Sequence, residues 1–185
     1  EQVLKNKNIS VVATRAKRSE GIIFKFLYQI HKIITLIFTG KNMNFGHYSC
    51  LTLEDAKFLS TKKSLWSNFA GTVKKYILKL KGVPTVRGYR YFGPSKMPLM
   101  GLVIHSLAII ATFKYQVLIR SVFIILVFGF FFTIESNIIL IITGILTALF
   151  CVIIFIISAT RENSQELRNS QDKIESIKNI HTLKL

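Results

Sequence analysis

Residues 138–159 form a run of 22 residues without one charged side chain. A bilayer's hydrocarbon core is about 30 Å thick and takes roughly 20 such residues as a helix. This run therefore limits what the chain can fold into more than any other stretch. It has a partner. Residues 117–134 are apolar apart from Arg120, and the polar turn Glu135-Ser-Asn137 separates the two runs. The expectation is a transmembrane hairpin, with spans at about 117–134 and 138–159.

Charge fixes the expected topology. Residues 121–160 hold no Lys or Arg, so a hairpin leaves every Lys and Arg on one side. The positive-inside rule makes that side cytoplasmic, with both termini there. Residues 98–113 are also apolar, but as a third span they would carry Lys114 and Arg120, or the tail, across. They are expected to lie along the membrane interface instead. Residues 97–116 are then an interfacial helix and linker, and residues 160–185 a cytoplasmic tail.

The remainder is strongly basic. The chain carries a net charge of +16, and residues 1–96 hold 18 Lys and Arg against 4 Asp and Glu. A basic block beside an apolar block suits a protein lying on anionic lipid and anchored in it. The long apolar runs argue against nucleic acid as a partner. Cys50 and Cys151 are too few for a disulfide framework and read as free thiols of a cytoplasm-facing protein. No secretory-signal pattern opens the chain. It begins as if within a domain, and the expectation is the C-terminal piece of a longer protein.

In chain order, residues 9–14 are rich in β-branched side chains and predict a strand. The basic loop 14–19 follows, with Arg15, Lys17 and Arg18. It is either a solvated turn or an anion site, since Arg forks bind phosphate and a following helix N-terminus adds its dipole. Residues 21–39 predict a helix with Arg18, Lys25, Gln29 and Lys32 on one narrow stripe. Buried lysines are costly at a bilayer centre, whereas a helix lying in the interface keeps its stripe among headgroups. Residues 40–49 predict a loop, in which Asn44 and His47 could touch a substrate. Thr52 through Asp55 resembles a capping box. Residues 69–81 predict a Lys-faced helix stopped at Gly82-Val-Pro84, and residues 85–92 a strand.

Residues 87–97 read Arg-Gly-Tyr-Arg-Tyr-Phe-Gly-Pro-Ser-Lys-Met. Arg87, Arg90, Ser95 and Lys96 there could hold a phosphate at the bilayer surface. Ordinary cationic contact with headgroups is the plainer reading of the arginines, and a helix N-cap beside Pro98 that of Ser95 and Lys96. On an extended strand Arg87 and Arg90 point to opposite faces, so one of them reaches a given phosphate unless the strand bulges.

This order of parts resembles the C-terminal half of membrane-bound family 2 glycosyltransferases of the GT-A type, the group of polyprenyl-phosphate (dolichol-phosphate) mannosyl- and glucosyltransferases. The likeness rests on residues 11–15 with Lys17-Arg18-Ser19, on Phe24-Lys25-Phe26-Leu27-Tyr28 as an acceptor helix, and on Asn44-Phe-Gly46-His47-Tyr48-Ser49 as the loop before a short helix. It rests further on Val83-Pro84-Thr-Val86, on Arg87 and Arg90, and on the Gly-x-Ser-Lys loop Gly93-Pro-Ser95-Lys96. It covers roughly residues 11–159. The resemblance implies a mostly α, α+β remnant of a GT-A domain over residues 1–96, with amphipathic interfacial helices and then the hairpin. It implies sugar transfer from a nucleotide sugar to a membrane lipid-phosphate or cell-surface polysaccharide acceptor. Arg15, Arg18, Arg87, Arg90, Ser95 and Lys96 would bind the acceptor phosphate, with Asn44 and His47 in a substrate loop. Relatives hold a divalent metal, Mg or Mn, through an Asp-x-Asp motif in an N-terminal donor domain. This sequence has no such motif; its adjacent acids are Glu54 and Asp55. Metal and donor sites are expected in a region preceding residue 1, and this chain alone is expected to be inactive. The different-class alternative is a non-catalytic, membrane-anchored basic interaction protein. Oligomerisation is left open.

Overall fold

The computed structural model describes residues 9–17, 22–86, 98–135, 137–162, 165, 167–170 and 172. The fold is mostly helical around one small sheet. Strand β1, Ser10–Lys17, is central. Strand β2, Phe45–Cys50, pairs with it antiparallel, and β3, Leu80–Val86, pairs with it parallel. The basic segment expected as a loop from residue 14 is thus strand as far as Lys17. Its β-branched start carries it into the ladder, and the β3 register continues through Arg15 opposite Thr85 to Lys17 opposite Val86.

Helix α1, Ile22–Thr39, runs close to its expected bounds. The next stretch differs. Residues 45–50 are strand, not loop, because β1 offers them a ladder in which Phe45 reaches the core. Helix α2, Leu53–Ser60, starts where the cap was expected, and Thr52 Oγ1 accepts the Asp55 N–H at 3.2 Å. The Asp55 carboxylate does not turn back to complete the box. It accepts the Ser10 hydroxyl, while Ser10 Oγ accepts the Thr52 N–H at 3.1 Å. The start of β1 is thereby tied to the start of α2.

Helix α3, Ser64–Ser67, is a single turn. Helix α4, Phe69–Tyr76, is capped by Asn68 Oδ1, which accepts the Gly71 N–H at 2.8 Å. It ends five residues earlier than the sequence suggested. Leu80 and Lys81 belong to β3, and Gly82-Val-Pro84 lies within that strand rather than ending a helix. Pro84 is accommodated because β3 is at the edge of the sheet, where a missing N–H costs no ladder bond. One face of the sheet packs on α2 and α4 through Val12, Met43, Phe45, Leu59, Ala70, Val73 and Ile77.

Helix α5, Leu99–Ala111, is followed by the buried turn Thr112-Phe113 and then by α6, Lys114–Ile134. Lys114 to Gln116, expected as linker, already belong to α6. Asn137 Oδ1 caps α7, Ile138–Arg161, by accepting the Ile139 N–H at 2.9 Å. Helices α6 and α7 are long and apolar enough to cross a membrane. Of their apolar windows 11% and 17% are buried, whereas a core helix of a soluble protein is mostly covered. Lys114 Nζ meets Glu162 Oε2 at 2.8 Å and closes the hairpin at its open end.

A second core joins Ile110, Ala111, Val117, Cys151 and Ile154, with Ile34 and Phe38 of α1 packed on it. The two cores meet at Thr112. A Cβ on Gly71 would stand 2.6 Å from Thr112 Oγ1, and Lys75 Nζ donates to the Thr112 carbonyl at 2.7 Å. Both contacts run from α4 directly to the α5–α6 turn.

Candidate functional site

The parallel pairing of β1 with β3 decides which basic segments come together. Strand order and register put Lys17 opposite Val86, and Thr85 Oγ1 donates to the Thr14 carbonyl at 3.0 Å. Arg18 follows directly on Lys17, and Arg87 directly on Val86. The two segments that the sequence marked as basic therefore leave neighbouring strands at the same end of the sheet. In parallel sheets the carboxyl ends of strands are where ligands bind, because loops there converge on one crevice. Arg18, Arg87, Arg90, Ser95 and Lys96 themselves lie outside the described residues. Arg15 is described through its backbone, paired with Thr85.

The expected substrate-loop residues part company. Asn44 is exposed on the approach to β2, while His47 lies within β2. The His47 ring stands 6.1 Å from Phe69 and 5.8 Å from His105 of α5, centroid to centroid. A shallow trough of about 420 Å³ crosses the sheet beside it. Val11 and Ala13 of β1, Val83 and Thr85 of β3, and Tyr48, Ser49 and Cys50 of β2 line it together with His47. The trough is apolar in its middle, and hydroxyl, imidazole and thiol groups stand along its rim. Its polar groups can donate or accept hydrogen bonds but supply no fixed charge.

Sequence reasoning missed most of this trough, because it depends on β1 pairing with segments more than thirty residues away on either side. The partial signal was β-branched composition at 83–86. It also treated His105 as one apolar-helix residue among many, whereas the fold sets it beside His47. Cys50 is exposed and Cys151 buried, and both are free thiols. Among the described residues no group of three or more His, Cys, Asp or Glu could hold a metal ion.

Helix α1 borders this region and turns its apolar side outward. Phe26, Ile33 and Leu36 are each more than half exposed, while Thr35 and Thr39 are buried. Thr35 and Thr39 satisfy their hydroxyls by donating to carbonyls one turn back, at 2.7 and 2.6 Å. Helix α5 likewise exposes Leu99, Met100 and Val103. Two helices with apolar outward faces thus flank the base of the hairpin.

No protein-family model, curated protein or solved structure matches this chain.

Proposed function

We propose that this chain is the acceptor-binding and membrane-anchoring part of a GT-A type, family 2 glycosyltransferase. The full-length enzyme would move a sugar from a nucleotide sugar to a membrane lipid-phosphate or polysaccharide acceptor. The observation that carries this reading is the β1–β3 register. It pairs Arg15 with Thr85 and Lys17 with Val86, the residues that directly precede Arg18 and Arg87 in the chain, and on this reading Arg18, Arg87, Arg90, Ser95 and Lys96 would gather beyond those strand ends. A phosphate already anionic at neutral pH needs little proton abstraction. It needs cations that hold it against the donor carbon and donors that meet charge developing on the leaving group. A region preceding residue 1 would bind the nucleotide sugar and a divalent metal. The hairpin and the outward apolar faces of α1 and α5 would keep the strand ends at the bilayer surface, with both termini cytoplasmic.

The test uses the full-length protein in membranes with a polyprenyl monophosphate acceptor. Arg15→Ala and Lys96→Ala should each lower transfer about 10- to 100-fold, the loss expected for one hydrogen bond to a charged group. The change should fall mainly on the acceptor's KM. Unchanged rates in both variants sink the proposal.

One observation favours the non-catalytic alternative. Lys57, Lys63, Lys79 and Lys81 are exposed, as are Trp66 and Leu78. A basic surface with exposed apolar side chains binds anionic membrane without any chemistry. A full-length protein that binds anionic vesicles yet transfers no sugar from any donor would establish that reading.

A further inference from the structure

Within residues 115–134 and 138–160 the chain carries one formal charge, Arg120. Helix α6 has 21 residues and rises about 31 Å. That matches a hydrocarbon slab of about 30 Å. The Lys114–Glu162 pair then marks the slab edge on the side of the sheet, and Arg120 stands six residues, about 9 Å, inside it. Its neighbours Leu118, Ile119, Val122 and Phe123 are all exposed, as is Arg120. A guanidinium at that place faces lipid.

The fold satisfies it in part. Arg120 Nη1 donates to the Ile37 carbonyl at 3.0 Å, and so closes the C-terminal turn of α1. The approach depends on Gly40. Its φ of 68° is left-handed, and a Cβ there would stand 2.5 Å from Arg120 Nη2. A guanidinium has five N–H donors in a planar fork, and among the described residues one protein acceptor is hydrogen-bonded to it. Side chains on a helix lean toward its N-terminus, which for α6 is the sheet-side surface. Lys41, exposed, is the next residue in the chain after Gly40. In a region without water the anions within reach are lipid phosphates, whose oxygens fit the free side of the fork.

We propose that Arg120, with Lys41, holds the phosphate of a bilayer lipid at the seam between α1 and α6. This rests on α6 and α7 crossing a bilayer and is independent of sugar transfer, so either idea can fail while the other stands. The phosphate belongs either to a phosphodiester phospholipid or to a phosphomonoester-headed lipid.

The full chain, purified in detergent, is incubated with phosphatidylglycerol, a polyprenyl monophosphate or uncharged diacylglycerol, and retained lipid is read by native mass spectrometry. One phospholipid or polyprenyl phosphate per chain should survive, and diacylglycerol should not. Equal retention of the first two identifies a bilayer phospholipid, and preferential retention of the monoester identifies a lipid phosphate. Arg120→Gln should lower retention about tenfold and Lys41→Gln by less, with Arg120→Lys between them. Retention of diacylglycerol to the same extent, or unchanged retention in Arg120→Gln, overturns the site. Arg120→Gln also removes the donor to Ile37, so the wild-type protein supplies a separate check. In vesicles, a phospholipid with a photoreactive group near its phosphate should label residues 37–41 and 118–123. Uniform labelling around α6 and α7 overturns the proposal.

Discussion

The sheet-bearing half and the hairpin differ most in how much apolar surface they leave outside. Around the sheet, Val12, Leu59, Val73 and Ile77 are inside, and helix starts are closed by the side chains of Thr52 and Asn68. In the hairpin Val117 and Ile154 are inside, with small and polar residues buried beside them. Ser121, Thr147, Cys151 and Ser158 are buried, while Ile119, Phe123, Leu126, Phe130 and Leu149 face outward. Water drives apolar surface inward; lipid exerts no such drive, and helices within it meet through small residues that let their backbones approach. The outward apolar surface of the hairpin suits two helices long and apolar enough to cross a membrane. The buried Thr112-Phe113 turn joins the two.

The largest effect should come from breaking that boundary. Phe113 is fully buried where both halves meet, and Phe113→Ala should cost about 3–5 kcal/mol. Thermal unfolding in detergent, followed by helix signal and by tryptophan fluorescence from Trp66, should shift in both signals together. A shift in one signal alone would mean that the halves are packed independently.

The comparison is sharpened by placing the same charge on two exposed leucines. Leu126 and Leu53 are 66% and 71% exposed, so a purely geometric view treats them alike. Leu126→Arg should disfavour membrane insertion by about 2.5–3.5 kcal/mol, the cost of Arg near a bilayer centre. Leu53→Arg should stay within about 0.5 kcal/mol, as at an ordinary water-facing site. A glycosylation-tagged insertion assay separates them, and equal behaviour would remove the distinction between the two solvents.

A smaller change is expected at the strap between the halves. Lys75→Met keeps most of the side-chain volume but loses the donor to the Thr112 carbonyl. It should lower stability by about 1–3 kcal/mol if that carbonyl is left unpaired. Hydrogen exchange should quicken at the α5–α6 turn before it changes in α7. The smallest effect belongs to the Lys114–Glu162 pair, which is partly exposed. Lys114→Gln should cost no more than about 1 kcal/mol, and less in high salt. A salt-independent loss of several kcal/mol would show that the pair is sealed from water.

What the sequence revealed followed the reach of each interaction. The 138–159 run and the Thr52 cap depend on near neighbours or on composition, and both are present in the structure. The start of α6 at Lys114 was misjudged because a charged first residue gives no apolar signal. The 45–50 strand was invisible for another reason. Asn, Gly and His favour turns locally, and the ladder from β1, more than thirty residues away, overrides them. The helix expected through residue 81 failed in the same way. Lys79, Leu80 and Lys81 fit a helical face, yet Leu80 lies opposite Ser10 across a separation of seventy residues. For the candidate site, the basic residues were legible as types. The parallel pairing of Arg15 with Thr85 and of Lys17 with Val86 was not, because parallel pairing leaves no trace in spacing. His47 was singled out, but in a loop rather than on a strand.

Gly71 gives the molecule an adjustable joint of atomic dimensions. Helix α4 and the α5–α6 turn meet there through a helix surface lacking a single methyl group, against Thr112. A methyl added at residue 71 must push the α5–α6 turn aside or tip the sheet, and either movement is magnified along the length of the hairpin. The placement of the α5–α6 turn against α4 is therefore set by one absent carbon.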